Sequence, residues 1–579
     1  MIEYNKISEE RTIQIIVDLL KKNGIRRVIA SPGATEAYIV TCFQYDEWFK
    51  VYSEVDERSA AYIATGMAAE SKEPVVIVCT GATSSRNYMP GLTEAYYRKL
   101  PVLAITCSRG NACIGHYVNQ VTDRTQLPSD VVNLSVQAQP VRCAEDEWDV
   151  TIKVNKALIA LKKDGGGPAH INLQTLVNFN FKSGKIDPVR KIDFYTLHDS
   201  LPELVGRVGI FVGAHEEMDM QLTNLIDKFC STYDACVFCD HTSNYRGKYR
   251  VLHPLVTEQL DQFANHFSID TLIHIGYVSN CTFTANSIWR VNPDGEIRDP
   301  FKRLKAVFQM TELDFFDAYT KNRAENNKDG LLTECNAIYN ILLNSIPELP
   351  FSNLYVASKM SSELPENSVL HLGIRNSLRS WNVFETPESV LEYSNTGGFG
   401  IDGGVSSLVG ASFVHPEKLY FGIFGDLLFF YNLNIIGNRA IKPNVRILVI
   451  NNGLGQEFKN SSFYMGMFGE GTNEFIAAEG HFGKKSKTLV KGMAESLGFE
   501  YLSASTKDEF ESIYKRFTMG TLTDKPMIFE VFTDTEDESK AFDLVFAVTK
   551  KGQFIRNVKG FLMKPQFSQI RSYLKNFNV

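Results

Sequence analysis

A single carboxylate stands between two apolar runs in GIFGDLLFFYNLN, Gly422 to Asn434, and Asn451–Asn452–Gly453 begins 25 residues after that Asp426. A carboxylate in such surroundings must be paired, solvated or bound to a cation. Asp426 ends one predicted strand and the asparagine pair ends the next, and in a parallel sheet such ends can be neighbours. A carboxylate, an amide oxygen and a backbone carbonyl are hard ligands. They suit Mg²⁺, which keeps several waters and binds substrate phosphates. Glycines beside these residues let the backbone approach a phosphate, and the helix predicted after Asp426 adds its positive end. The spacing predicts a Mg²⁺–diphosphate site. An Asp N-cap on the helix that begins with LLFFYNL is the plain alternative.

The elements that must hold these residues fall into three blocks. In the first, up to about residue 185, EERTIQIIVDLLKKNG and ERSAAYIATGMAAES have helical spacing. RRVIASPGA, PVVIVCTGAT and PVLAITCS are strands that run into loops. Buried strands as continuous apolar runs between helices predict a parallel doubly wound sheet, with ligands at the C-terminal strand ends. Ser31–Thr35, Thr80–Ser84 and Thr106–Gly110 land there. The second block, about 186–345, has strands in GRVGIFVGAH, ACVFCDHTSNYRG and DTLIHIGY but no evident constellation of titratable residues. Asp240–His241 reads as a solvated loop pair. In the third block KLYFGIFGD, NVRILVINNG, FEYLSAS and PMIFEVFTD are strands, LLFFYNLNIIGNRA and KTLVKGMAESLG helices.

At 579 residues the chain is too long for one core, and 44% hydrophobic with 22% charged residues is an ordinary globular balance. A net charge of -7 argues against a nucleic-acid partner held by bulk electrostatics. The most basic stretch, GKKSKTLVKG, reads as a solvated helix face. The polar start MIEYNKISEE is no signal peptide, and no apolar run approaches the roughly 20 residues that span a bilayer, so a cytoplasmic location is expected. Of ten cysteines only Cys236 and Cys239 form a CxxC, with no second pair to complete a zinc site; buried reduced thiols on a strand are expected.

GD followed by NN resembles the cofactor motif of thiamine-diphosphate-dependent enzymes, and VDERSAAYIATGMA, Val55 to Ala68, is similar to the segment that carries their essential glutamate. SPG, DERSA, NYMPGLTEAYY, NQVTD, NSLRSW, NTGGFGIDGGVSS, GDLLFFYNLN and NNGLGQEF occur in order. Together they resemble the menaquinone-pathway synthase branch across both outer blocks, and faintly across the middle one. The resemblance implies three doubly wound α/β domains: pyrimidine-binding 1–185, central 186–345, and diphosphate- and Mg-binding 346–579. It implies thiamine diphosphate and Mg²⁺, with Asp426 and Asn452 as side-chain ligands and the Leu454 carbonyl as a third. Glu57 would hydrogen-bond N1′ of the aminopyrimidine and manage the proton exchange that activates the cofactor. On its own, Glu57 reads first as a carboxylate favoured at a helix N-terminus; the catalytic role comes with the resemblance. Thr80, Gly81, Gly400, Ile401, Gly425, Leu427 and Gly455 would also bind cofactor. Thr35, Arg109, Asn119, Gln120, Thr396 and Phe458 take substrate-side positions. Since the family's cofactor spans two subunits, a homodimer or homotetramer is implied.

The sequence also departs from that branch. Thr35 and Thr396 stand where its pattern has arginines, and Leu428 where it has a serine. Losing two anion clamps, at about 1.5–3 kcal/mol per charged hydrogen bond, disfavours the branch's dicarboxylate acceptor isochorismate. Arg86 and Arg379, in predicted strand-end loops, are replacement clamps or surface residues. Glu457 adds an acid that would protonate an intermediate or activate an acceptor, or would turn to solvent. The expected activity is decarboxylation of a 2-oxo acid with transfer of the acyl anion to another small-molecule acceptor. Simple decarboxylation and a non-catalytic cofactor-binding relative are the alternatives.

Overall fold

The computed structural model of the chain describes residues 6–176, 180–259, 267–326, 329–460 and 464–548. The chain divides into two compact units, residues 1–195 with 296–307, and residues 196–295 with 308–579. Throughout, helices alternate with parallel strands, the mixed α/β fold expected of the sequence.

In the first unit a six-stranded parallel sheet runs in the spatial order Lys50–Ser53, Arg27–Ala30, Val75–Thr80, Val102–Ser108, Ala169–Gln174, Leu134–Ala138. The central strands are buried along their whole length because helices cover both faces, which is why they read as unbroken apolar runs. The helix Glu57–Ser71 starts where Asp56 accepts from the Arg58 N–H at 3.1 Å. Its buried face is Ala60, Ala61, Ala64 and Ala68. These small side chains let the helix Met89–Tyr97 approach closely: a Cβ on Gly91 would fall 2.5 Å from that of Ala61.

In the second unit Arg250–Leu252, Cys236–Cys239, Val208–Val212, Ile269–Ile275 and Ala285–Val291 lie side by side in parallel. The first and last of these lie outside the segments that the sequence marks as strands. Cys236 and Cys239 are buried free thiols, as expected. A separate six-stranded parallel sheet has the order Leu391–Tyr393, Val369–Leu372, Tyr420–Gly425, Val445–Asn451, Met527–Phe532, Glu500–Ala504. Tyr420–Gly425 and Val445–Asn451 pair directly, with Gly425 opposite Ile450, so the ends carrying Asp426 and Asn452 are adjacent. The helix after Asp426 is shorter than expected. It covers Asp426–Tyr431 and passes into a 3₁₀ turn at Leu433–Gly437.

Asp240 and His241 are not a solvated pair. Both are fully buried. His241 Nδ1 forms a 2.8 Å ion pair with Glu392, and Asp240 Oδ1 accepts from the Thr242 N–H and hydroxyl at 2.7 and 2.6 Å. The second block therefore does carry a titratable cluster, assembled with residues about 150 positions downstream that spacing alone does not connect. Among the described residues no helix is long and apolar enough to cross a membrane.

Candidate active site

At the diphosphate-type strand ends, Asp426 is the first residue of its helix and Gly425 holds the cap position. Asp426 therefore does not cap the helix by the usual bond to the second or third N–H. Its Oδ1 accepts from the adjacent Leu427 N–H at 2.7 Å, and its Oδ2 from the Gly453 N–H at 2.6 Å. The second bond ties the GD turn to the NNG turn. Gly453 has φ +86, where a side chain would be strained, so the turn requires glycine. Asp426 is 4% exposed, and burial pushes its carboxyl up to about 6. A desolvated carboxylate with no ion-pair partner among the described residues is an unfinished arrangement that a bound cation completes. Asn452 is nearly buried, its Oδ1 3.3 Å from the Leu454 N–H, and Leu454 and Gly455 follow in the same turn. Aspartate, amide and carbonyl oxygens are a hard donor set, which fits Mg²⁺ better than a soft metal.

Two further segments support this turn. Asn432 donates to the Ile401 carbonyl at 3.3 Å and accepts from Ser406 Oγ at 3.0 Å, which fixes Gly400 and Ile401 relative to the helix that starts at Asp426. Thr396, at the start of the same loop, is buried. Leu428 packs against Gly404 and Gly373 and fills core space. Lys485 corrects the reading of GKKSKTLVKG as a solvated face. Its side chain lies beside Gly453 and its ammonium donates to the Thr533 carbonyl. That stretch holds a four-residue helical turn, Phe482–Lys485, and then the start of the helix Leu489–Ser496, and Lys484, Lys487 and Lys491 are exposed as expected.

Glu457 and Phe458 belong to the 3₁₀ turn Gln456–Lys459. Glu457 does not turn to solvent. Arg379 donates to both its oxygens, at 2.5 and 3.0 Å, and the pair is 15% exposed on each side. Arg379 lies in the helix Asn376–Trp381, not in a loop, and also faces Glu258 at 3.5 Å. It is committed to these acids. Phe458 lies close under Gly455.

In the first unit, Glu57 is the first residue of its helix and partly exposed, with Asn87 Nδ2 donating to Oε2 at 3.2 Å. Thr35 and Thr80 meet: their hydroxyls are 2.9 Å apart, and Thr35 Oγ1 donates to the Cys107 carbonyl at 2.7 Å. Gly81 packs against Arg124, whose guanidinium a Cβ there would strike at 2.9 Å. Arg109, Asn119 and Gln120 are exposed and are not drawn into this cluster. Arg86 sits in the short helix Thr83–Asn87 and donates to the Asp123 carbonyl at 2.5 Å.

Sequence reasoning missed Glu36, Arg124, Glu258 and Arg375. Glu36 and Arg124 are buried beside the strand ends. Arg375 lies over the Phe399 ring at 4.9 Å with φ 68, an uncommon conformation outside glycine. The usable signal for Glu36 was an acid immediately after the SPGAT loop.

Residues 11–127 match the family model described as thiamine pyrophosphate enzyme, N-terminal TPP binding domain. Over 558 residues the chain is 29% identical to a 2-succinyl-5-enolpyruvyl-6-hydroxy-3-cyclohexene-1-carboxylate synthase of Phocaeicola vulgatus, covering 92% of this chain and 97% of the relative. It is 28% identical to the Bacteroides thetaiotaomicron synthase of that name over 92% and 98%. To that of Christiangramia forsetii it is 26% identical over 92% and 97%. The chain thus resembles these synthases along most of its length, and the N-terminal domain of thiamine pyrophosphate enzymes over residues 11–127.

Proposed function

We propose that this protein is a thiamine-diphosphate- and Mg²⁺-dependent enzyme that decarboxylates a 2-oxo acid and joins the acyl unit to an acceptor, forming a carbon–carbon bond. The observation that carries this reading is the Asp426–Gly453 bond. It ties the GD turn to the NNG turn at a buried carboxylate with no ion-pair partner among the described residues, within a chain whose residues 11–127 match a thiamine pyrophosphate-binding domain.

Bound thiamine diphosphate would supply an acyl-anion equivalent once the 2-oxo acid loses CO₂. Asp426 and Asn452 would present their oxygens to Mg²⁺, with the Leu454 carbonyl as third protein ligand. Thr80, Gly81, Gly400, Ile401, Gly425, Leu427 and Gly455 would line the cofactor. Glu57 would hold and move a proton at N1′ of the aminopyrimidine. Arg109, Asn119, Gln120, Thr35, Thr396 and Phe458 are assigned to the substrate side. Glu457, both of whose oxygens accept from Arg379, suits positioning of the Gln456–Lys459 turn better than proton donation, which favours transfer over simple decarboxylation.

Glu57 and Asp426 belong to different compact units. Around Glu57, Val55 is 78% and Tyr62 48% exposed, and Val51, Tyr52 and Ile63 are also exposed. Such an apolar patch beside a proposed catalytic acid supports a homo-oligomer with shared sites. The domains proposed are 1–185, 186–345 and 346–579.

The test is exchange of the C2 proton of bound cofactor for deuterium, followed by product analysis with a panel of 2-oxo acids and aldehydes. Exchange with ligated product supports the proposal. Free aldehyde whatever acceptor is present favours the decarboxylase. No exchange ends the enzymatic reading.

A further inference from the structure

The strand ends of the first unit hold a group that the chemistry above leaves unused. Glu36 follows the Ser31–Thr35 loop directly, precedes the helix Ala37–Tyr45, and is 1% exposed. Its Oε2 accepts from the Thr80 hydroxyl. Its Oε1 is buried without a hydrogen-bond partner among the described residues. No cation forms an ion pair with it among those residues. What faces Oε1 is the bare α-carbon of Gly33, where a Cβ would fall 2.5 Å away.

Counting protons defines the need. Thr35 and Thr80 bring two hydroxyl protons. Three contacts compete for them: Thr35 to the Cys107 carbonyl at 2.7 Å, Thr35 to Thr80 at 2.9 Å, and Thr80 to Glu36. The Thr35 N–H, 3.3 Å from Thr80 Oγ1, is a weak addition. With Glu36 ionised the cluster is one proton short; protonated, Glu36 supplies that proton itself, and in either state Oε1 is left idle among the described residues. Native structures seldom leave such a group unmet. Burial disfavours the charge of Glu36, and a ligand that brought a donor would satisfy Oε1. The cluster lies at the C-terminal ends of parallel strands, where open α/β sheets take their ligands.

We propose that Thr35, Glu36 and Thr80 form a substrate subsite that receives a hydrogen-bond donor, a hydroxyl or protonated amine, and rejects a carboxylate. This rests on the reading of the chain as an acyl-transferring enzyme. A carboxylate entering here would set its oxygens against the lone pairs of Glu36 Oε1 and bring no proton to it, so it gains nothing there.

The full-length protein, loaded with Mg²⁺ and thiamine diphosphate, is given whichever 2-oxo acid of the panel releases CO₂. The acceptor is either glycolaldehyde or glyoxylate, two-carbon aldehydes that differ as hydroxyl against carboxylate. The wild type is expected to favour glycolaldehyde in kcat/KM by about tenfold or more. Glu36→Gln should lower that ratio by about tenfold while cofactor affinity, read by intrinsic fluorescence, stays within about twofold. Thr35→Val should lower it in the same direction, and serves if Glu36→Gln does not fold.

The proposal is overturned if the wild type shows no such preference, or if the ratio survives both substitutions. It is also overturned if Glu36→Gln weakens cofactor binding and leaves the ratio unmoved, which would assign Glu36 to the cofactor. Deuterium exchange at C2 separates the two readings. Exchange with an unmoved ratio removes only the subsite, whereas no exchange removes the enzyme reading and the subsite with it.

Discussion

Asp426 and Glu57 are the residues whose roles separate most cleanly. Asp426→Ala removes the proposed Mg²⁺ ligand and one end of the bond to Gly453. We expect Mg²⁺-dependent cofactor affinity to fall by about 100-fold or more, measured by calorimetry with and without chelator. Glu57→Gln keeps the side chain's size and removes its proton chemistry, so turnover should fall by about 100-fold or more while cofactor affinity changes little. Equal loss of both would mean that Glu57 serves binding alone. The Arg379–Glu457 pair makes a different prediction. Truncating Arg379 to Met leaves Glu457 poorly solvated and should cost about 2–3 kcal/mol in chemical denaturation, below the fully buried range because 15% exposure screens the pair. A double-mutant cycle with Glu457→Gln should recover part of that cost; strict additivity would show that the two are not coupled.

At the scale of elements, the closest approach in the first unit is between Glu57–Ser71 and Met89–Tyr97. Gly91→Ala would place a methyl 2.5 Å from the Ala61 Cβ and 2.8 Å from its carbonyl carbon. We expect a loss of about 1–3 kcal/mol, from backbone that must shift rather than from a cavity, read as a lowered urea midpoint at unchanged m. The same change moves the helix that starts at Glu57, so turnover should fall more than stability alone explains. The GD and NNG turns illustrate the opposite case. Each is set by its own chain, through a glycine at positive φ in one and a strand end in the other. They become a site only because their strands pair in register.

For the whole molecule, the proposal that two subunits share each site has a direct test. Glu57→Gln and Asp426→Ala chains, each inactive, are unfolded and refolded together. With shared sites, random pairing restores about a quarter of wild-type activity. With each site inside one chain, mixing restores none. Stability should also depend on pH through the buried pair His241–Glu392. Burial by itself would lower His241, but the charge and hydrogen bond of Glu392 raise it above 6.5. Glu392 is disfavoured by burial yet held down to about 2 by His241 and Arg246. The histidine's contribution is complete below 6.5 and lost as pH rises through its folded pKa. The glutamate's is complete above 4.5 and lost as pH falls toward 2. Wild type should therefore lose stability above pH 6.5 relative to His241→Gln, in thermal melts across pH 5–9. Parallel pH curves would exclude this pair as the cause.

The sequence by itself determined the alternation of helix and buried strand, the strand ends at Thr80, Asp426 and Asn451, and the resemblance to thiamine-diphosphate enzymes. Each of these is written in contiguous residues or in short ordered motifs. Only the tertiary structure decided which side chains are buried and with whom. Arg379 meets Glu457 across 78 positions and His241 meets Glu392 across 151. Glu36 Oε1 has no hydrogen-bond partner among the described residues because its spatial neighbours there are the bare Gly33 and a Thr80 that bonds the other oxygen. Desolvation and pairing are properties of neighbours in space, and a linear pattern carries them only where the neighbours are also adjacent in the chain.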